Sequence, residues 1–213
     1  MATIDERGKR VITETEIRSA SEGDTVRIDD DALVTPLAAD LARERRVQLD
    51  RVRRRSAAAR KKIALGADHG GFEMKEQIKL VLADLGHDYQ DFGTHSTEAV
   101  DYPDYAHVAA AAVARGTCDL GIIIDGAGIG SCMVANKVPG VRAAMCYDEA
   151  SARNSREHNG ANVLTLGGKL ISAELAGKIV RAWLATDLTE DRHKRRVAKI
   201  DAVEREYLGR NRD

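Results

Sequence analysis

Three consecutive isoleucines, Ile122-Ile123-Ile124, run into Asp125 and then into glycines at every second position, Gly126, Gly128 and Gly130. An unbroken run of β-branched side chains suits a strand covered on both faces, the condition of a parallel sheet with helices above and below it. A strand with one wet face would alternate apolar and polar residues instead. Ligands of open α/β sheets bind beyond the carboxyl ends of the strands. One segment therefore supplies a buried strand, a carboxylate and a loop able to cradle an anion. Its glycines let the backbone approach a ligand closely, and the helix that follows adds its positive end. Such a loop suits a phosphate or a developing oxyanion. A ligand-free strand-to-helix turn would read similarly. A dinucleotide-binding loop also competes, since Asp148 ends the next strand roughly twenty residues on, although the third glycine comes one residue early for that fingerprint.

From Ile63 onward, strand and helix patterns alternate. Ile63–Ala67 reads as a strand, and Ile78, Val81, Leu82 and Leu85 then fall on one helix face, with Gly86 as its stop. A short strand around Tyr89, an Ala-rich helix from about Asp104 to Arg115, and the strand Leu120–Ile124 follow. After the glycine loop come a helix through Met133 and Val134, a strand Val141–Tyr147 and a helix with Ala150 and Ala152. The strand Asn162–Leu166, a helix carrying Leu175, Ile179, Val180 and Trp183, and a polar helix with Val197, Ile200 and Tyr207 complete the pattern. Regular βα alternation predicts a doubly wound parallel sheet over residues 63–208.

Residues 1–50 read as a small N-terminal extension. Thr25-Val26-Arg27-Ile28 suits a strand, and Thr35 and Pro36 suit the cap and first position of a short amphipathic helix with Leu37 and Leu41 on one face. This is thin for an independent core. Residues 51–62 carry Arg51, Arg53, Arg54, Arg55, Arg60, Lys61 and Lys62 around a Ser-Ala-Ala-Ala patch, which reads as a solvated basic linker or as a docking patch for an acidic partner.

The 213 residues hold 33 Lys+Arg against 34 Asp+Glu, a formal net charge of −1. That balance gives no general attraction to nucleic acid or anionic membranes. No apolar run reaches membrane-spanning length, and the first residues lack a secretory apolar region. Cys118, Cys132 and Cys146 are odd in number and sit in apolar contexts, which predicts reduced thiols and a cytoplasmic protein. No cysteine or histidine spacing matches a zinc site, so no metal is expected.

Three further blocks carry chemistry-bearing side chains. Asp68-His69-Gly70-Gly71 ends the first strand of the alternating region, on the same sheet edge as Asp125. Arg156-Glu157-His158-Asn159-Gly160 ends a helix. His158 there complements the helix dipole or serves as an acid/base group near neutral pH. Arg192 and Arg196, four residues apart, share a helix face and suit a clamp on phosphate, or form a solvated basic face.

Taken together, the blocks resemble the type B ribose-5-phosphate isomerases and the related galactose-6-phosphate isomerase subunits. The matching stretches are Gly66-Ala67-Asp68-His69-Gly70-Gly71-Phe72, Asp101-Tyr102-Pro103, Asp125 to Gly130 with Ala135-Asn136-Lys137, Arg156 to Asn159, and Arg192 to Arg196. They occur in family order over about two-thirds of the chain, and residues 1–60 lie outside them. The resemblance implies a Rossmann-like, five-stranded α/β/α sandwich, a homodimer or tetramer with sites shared between subunits, and no cofactor. It implies interconversion of aldose and ketose phosphates of four to six carbons through a cis-enediolate. Carried over, Asp68 and His69 contact the sugar and its phosphate, and Tyr102 lines the site. The amides of Gly126, Gly128 and Gly130, with Asn159, hold the enediolate oxygen. His158 opens the ring from a neighbouring subunit, and Arg192 and Arg196 grip the phosphate.

One departure bears on the chemistry. Many members of the family place a catalytic cysteine where this chain has Asp125, and others use a glutamate where it has Ser131. Ala127 replaces the usual Thr or Ser of the loop. A carboxylate can serve as the base for enediolate isomerisation, as in triosephosphate isomerase, and Asp125 is the expected base. Cys132, beside a helix N-terminus, is a lesser candidate. The alternative is a sugar-phosphate-binding or assembly protein that has lost the family's base. The leader around Thr35-Pro36-Leu37-Ala38 resembles short segments on enzymes of bacterial microcompartments, which implies a targeting or assembly role for residues 1–50.

Overall fold

The computed structural model describes residues 2–6, 9–30, 32–52 and 60–210, and the chain divides into two compact units, 1–59 and 60–213. Most of the basic stretch, residues 53–59, lies outside the described residues.

The first unit is more than a strand and a helix. It contains β1 (Thr3–Asp5), β2 (Val11–Ile12), α1 (Glu14–Arg18), β3 (Thr25–Asp29), β4 (Leu33–Val34), α2 (Pro36–Glu44) and β5 (Gln48–Val52). β1, β3 and β5 form one parallel sheet and β2 pairs with β4 in another. Thr35 caps α2 by accepting from the Ala38 N–H at 3.2 Å, with Pro36 in the first turn. The expectation of a thin core is corrected: Ile12, Ile17, Ala20, Val26, Ile28, Ala38, Ala42 and Val47 are all buried together. The face of α2 differs too, since Ala38 and Ala42 are buried while Leu37 is exposed. The basic linker is also shorter than the 51–62 stretch: Arg51 and Val52 end β5, and Lys62 begins the next strand.

The second unit contains β6 (Lys62–Ala67), α3 (Phe72–Asp84), β7 (Asp88–Asp91), α4 (Tyr102–Ala114), β8 (Leu120–Asp125), α5 (Ile129–Ala135), β9 (Ala143–Met145), α6 (Glu149–Glu157), β10 (Val163–Gly167), α7 (Ala173–Leu184) and α8 (Asp191–Arg210). Its five strands are all parallel, in the order β7-β6-β8-β10-β9. The expected doubly wound α/β sheet is present. β9 is shorter than the Val141–Tyr147 run, because Val141 is held in a turn by its bond to the Val138 carbonyl and Tyr147 is exposed at the sheet's edge.

The isoleucine run divides between two cores. Ile122 and Ile124 join Ile78 and Leu82 of α3 and Ile179, Val180 and Trp183 of α7 on one face. Ile123 joins Ala106, Ala109, Ala110 and Val113 of α4 on the other. The alanines let α4 lie close to the sheet: a methyl built on Gly66 would sit 3.0 Å from the Ala109 methyl. The strand order reverses between β6 and β8, since the chain leaves β6 for β7 on one side and returns to β8 on the other. The crevice beyond the carboxyl ends of these two strands is the place where such sheets bind ligands.

Candidate functional site

Asp68 follows β6 and Asp125 ends β8, so both carboxylates flank that crevice. Both are buried. Asp68 Oδ1 accepts from the Gly71 N–H at 3.0 Å, and its Oδ2 lies 4.0 Å from His69 Nδ1. His69 Nδ1 lies 3.2 Å from both the backbone N and O of Val100. The tautomer that accepts from the Val100 N–H carries its proton on Nε2, as a donor to a ligand.

Asp125 is bound by its own loop. Oδ1 accepts from the Ala127 N–H at 2.8 Å and from the Gly128 N–H, and Oδ2 accepts from the Ser131 N–H at 2.8 Å. The sequence reading placed a carboxylate beside an anion cradle; in the folded chain the carboxylate fills the cradle. Gly128 and Ser131 donate inward, so the amides without an acceptor among the described residues are those of Gly126, Ile129 and Gly130. A carboxylate offers about four acceptor positions. With three taken, one remains on Oδ2.

Two loop glycines are required by geometry. Gly128 has φ +81° and its missing methyl would lie 2.8 Å from the Leu166 carbonyl carbon. Gly130 lies under Tyr102, whose ring carbons would be 2.6 Å from a methyl there. Tyr102 thus covers the glycine loop.

Three contributors were not singled out as site residues. Lys169, just past β10, donates its N–H to the Gly126 carbonyl at 3.0 Å, and a methyl on Gly126 would sit 3.8 Å from its Cδ. Its exposed ammonium has no carboxylate partner among the described residues, so it brings positive charge to the crevice edge. The signal was its position after a strand adjacent to β8. Ser131 Oγ is buried with no hydrogen-bond partner among the described residues. Lys75, fully buried in α3, donates to Asp91 Oδ2 at 2.6 Å and to the Thr94 carbonyl at 2.8 Å. That pins the segment leading from β7 to Val100 and Tyr102. Cys132 faces away from this group: its Sγ donates to the Ala143 carbonyl at 3.5 Å.

His158, Asn159, Arg192 and Arg196 form a second group. His158 is the C-cap of α6, and its Nδ1 lies 2.8 Å from Asn154 Nδ2. Arg156 anchors this helix end, donating to the carbonyls of Ala161 at 2.6 Å and Thr186 at 3.0 Å and pairing with Asp187 at 3.0 Å. α8 is fastened below by Arg142–Asp201 at 3.1 Å and by the Gly140 N–H on Glu204 at 3.0 Å. Arg192 and Arg196 are exposed, Arg192 pairing with Glu190 at 2.5 Å. Asp148 has a structural partner: it caps α6 by accepting from the Ser151 N–H at 2.6 Å.

The two groups lie at opposite edges of the sheet. α6 runs back against the strands, so its C-terminus and His158 are at the amino edge, where Val163 begins β10. Asp125 is level with Gly167 at the carboxyl edge. At ~3.3 Å per residue, five residues of β10 separate these edges by roughly 17 Å. Among the described residues, no hydrogen bond, ion pair or ring contact joins the groups. Among them, too, no three His, Cys, Asp or Glu side chains gather as metal ligands, and no helix is long and apolar enough to cross a membrane.

Residues 63–200 match the model of the Ribose/Galactose Isomerase family. The chain belongs to that family. It is 46% identical over 144 residues to ribose-5-phosphate isomerase B of Escherichia coli, covering 68% of this chain and 97% of that protein. It is 40% identical over 143 residues to the D-erythrulose-4-phosphate isomerase of Pectobacterium atrosepticum, covering 67% of this chain and 94% of that protein. The structure of Clostridium thermocellum ribose-5-phosphate isomerase B superposes with a TM-score of 0.67 at 48% identity, over 68% of this chain and 99% of that one. The isomerase family thus corresponds to the second unit, and the chain is a sugar-phosphate isomerase, an enzyme that interconverts aldose and ketose phosphates. The first unit lies outside the residues matched by the family model.

Proposed function

We propose that this isomerase interconverts ribose 5-phosphate and ribulose 5-phosphate, or a related four- to six-carbon pair, through a cis-enediolate with Asp125 as the base. The observation that carries the reading is the buried Asp125 carboxylate at the switch point, with one acceptor position left on Oδ2. On an open-chain aldose, Oδ2 takes the C2 proton, the C1–C2 double bond forms, and charge develops on O1. The amides of Gly126, Ile129 and Gly130 are the donors available to that oxygen. The O2 proton passes to O1, and Asp125 returns its proton to C1, which completes the ketose. Asp68 and His69 hold the sugar under Tyr102.

The second group comes from another copy of the chain. His158 opens the furanose ring, Asn159 supports the enediolate oxygen, and Arg192 and Arg196 bind phosphate with Lys169 of the first copy. The separation of the two sheet edges supports this assembly, as does a groove of about 1340 Å³ lined by Tyr147, Ile200, Val203 and Tyr207. Its exposed apolar side chains suit burial against a second copy, in a homodimer or a dimer of dimers. Residues 1–59, which have their own core, serve assembly or targeting, and three free cysteines fit a cytoplasmic enzyme, free or within a microcompartment.

The test is ketose formation from ribose 5-phosphate by the purified full-length protein, followed by NMR. Ribulose 5-phosphate should accumulate to equilibrium; no ketose from any four- to six-carbon aldose phosphate would refute the assignment. Arg196→Ala should raise KM about tenfold or more with kcat little changed, the loss of one charge-assisted phosphate contact. An unchanged KM would remove Arg196 from the phosphate site.

A further inference from the structure

His193 is the third residue of α8, between Arg192 and Arg196. It is 2% exposed, and neither ring nitrogen has a hydrogen-bond partner among the described residues. Glu190 Oε2 comes no closer than 3.7 Å to Nε2. A buried histidine is normally held through its nitrogens. Here the contact is the ring face, which stacks on His158 with centroids 4.2 Å apart and planes 24° from parallel.

We propose that His193 is a positioning residue for ring opening, a neutral aromatic plate that fixes the plane of His158. The inference rests on the role of His158 proposed above. Ring opening needs the imidazole aimed at one site: with Nδ1 accepting from Asn154, the neutral ring carries its proton on Nε2, delivers it to O4 as the C1–O4 bond breaks, and takes the O1 proton at the same nitrogen as the C1 carbonyl forms. Asn154 fixes the imidazole at Nδ1 from the side, and His193 fixes it from beneath. The plate must stay uncharged while His158 exchanges these protons, because a cation stacked on its face would oppose the return of a proton to Nε2. Burial pushes His193 toward its neutral form; His158, Arg192 and Arg196 push the same way, against Glu190.

The test uses two substrates that differ in whether they form a ring. Ribose 5-phosphate closes a furanose through O4. Erythrose 4-phosphate cannot, because its O4 carries the phosphate, so it never needs opening. His193→Ala should lower kcat on ribose 5-phosphate roughly tenfold to a hundredfold, the scale of a misplaced catalytic group, while the four-carbon sugar stays within about twofold. His193→Phe, which keeps a flat ring, should recover most of the loss. Equal losses on both sugars, or a phenylalanine no better than alanine, would overturn the plate. NMR of the His158 ring protons reads the stack whichever sugar is turned over. Their ring-current shift should vanish in His193→Ala and persist in His193→Phe, and an unmoved shift in His193→Ala would also overturn it. Where the wild type isomerises neither sugar, the NMR arm alone judges the stack, and the proposed function is judged separately by the wider set of aldose phosphates.

Discussion

Asp125→Asn is expected to lower turnover roughly a thousandfold, the scale of losing a positioned general base. Two effects act together. The amide cannot take the C2 proton. Its NH₂ group also opposes a donor whichever way it is turned, because both carboxylate oxygens accept from loop N–H groups. The loop therefore relaxes as well, and the asparagine alone does not separate base from scaffold. Asp125→Cys does: a thiolate is a base at the same position but cannot accept from three amides at once. Activity within about tenfold of wild type in the cysteine variant, with the asparagine variant inactive, would place the chemistry at this position. An active asparagine variant would move the base elsewhere.

The second large effect is recovery by mixing. Asp125→Asn and His158→Asn, expressed separately, should each lose roughly a hundredfold or more of ribose 5-phosphate turnover. Co-expressed with different tags, they should assemble mixed dimers in which one site receives both intact residues and the other receives neither. Random pairing should restore about a quarter of wild-type activity, because half of the dimers are mixed and half of their sites are whole. A mixture no more active than its parents would mean that each chain builds its site alone. This follows from the strand-length separation of Asp125 and His158 across the sheet.

Much of the architecture was legible because it rests on periodicity. The Ile122–Ile124 run announced a strand covered on both faces, and the two cores divide it in that way. Residues with a fixed backbone role were legible too: Thr35 and Pro36 start α2, and Asp125 ends β8. The first unit was underestimated because its strands run to only two to five residues and four of the nine buried apolar residues described there are alanines, which carry a weak apolar signal. Contacts distant in sequence were illegible. Lys169 reaches the glycine loop across neighbouring strands, and His193 meets His158 from another helix. Nor does the sequence reveal which way a carboxylate turns, so Asp125 read as a free base beside a cradle that it in fact fills.

Proton transfer at C2 through an enediolate leaves its mark in solvent deuterium. The wild-type protein would be incubated with ribose 5-phosphate in D₂O while the C2 proton is followed by NMR. The signal should disappear at the rate of isomerisation or faster, with deuterium entering the sugar at that carbon. A C2 signal that persists while ketose accumulates would mean that hydrogen passes directly between the carbons and would contradict the enediolate; a signal unchanged with no ketose formed would exclude ribose 5-phosphate as the substrate and move the same measurement to the other four- to six-carbon aldose phosphates.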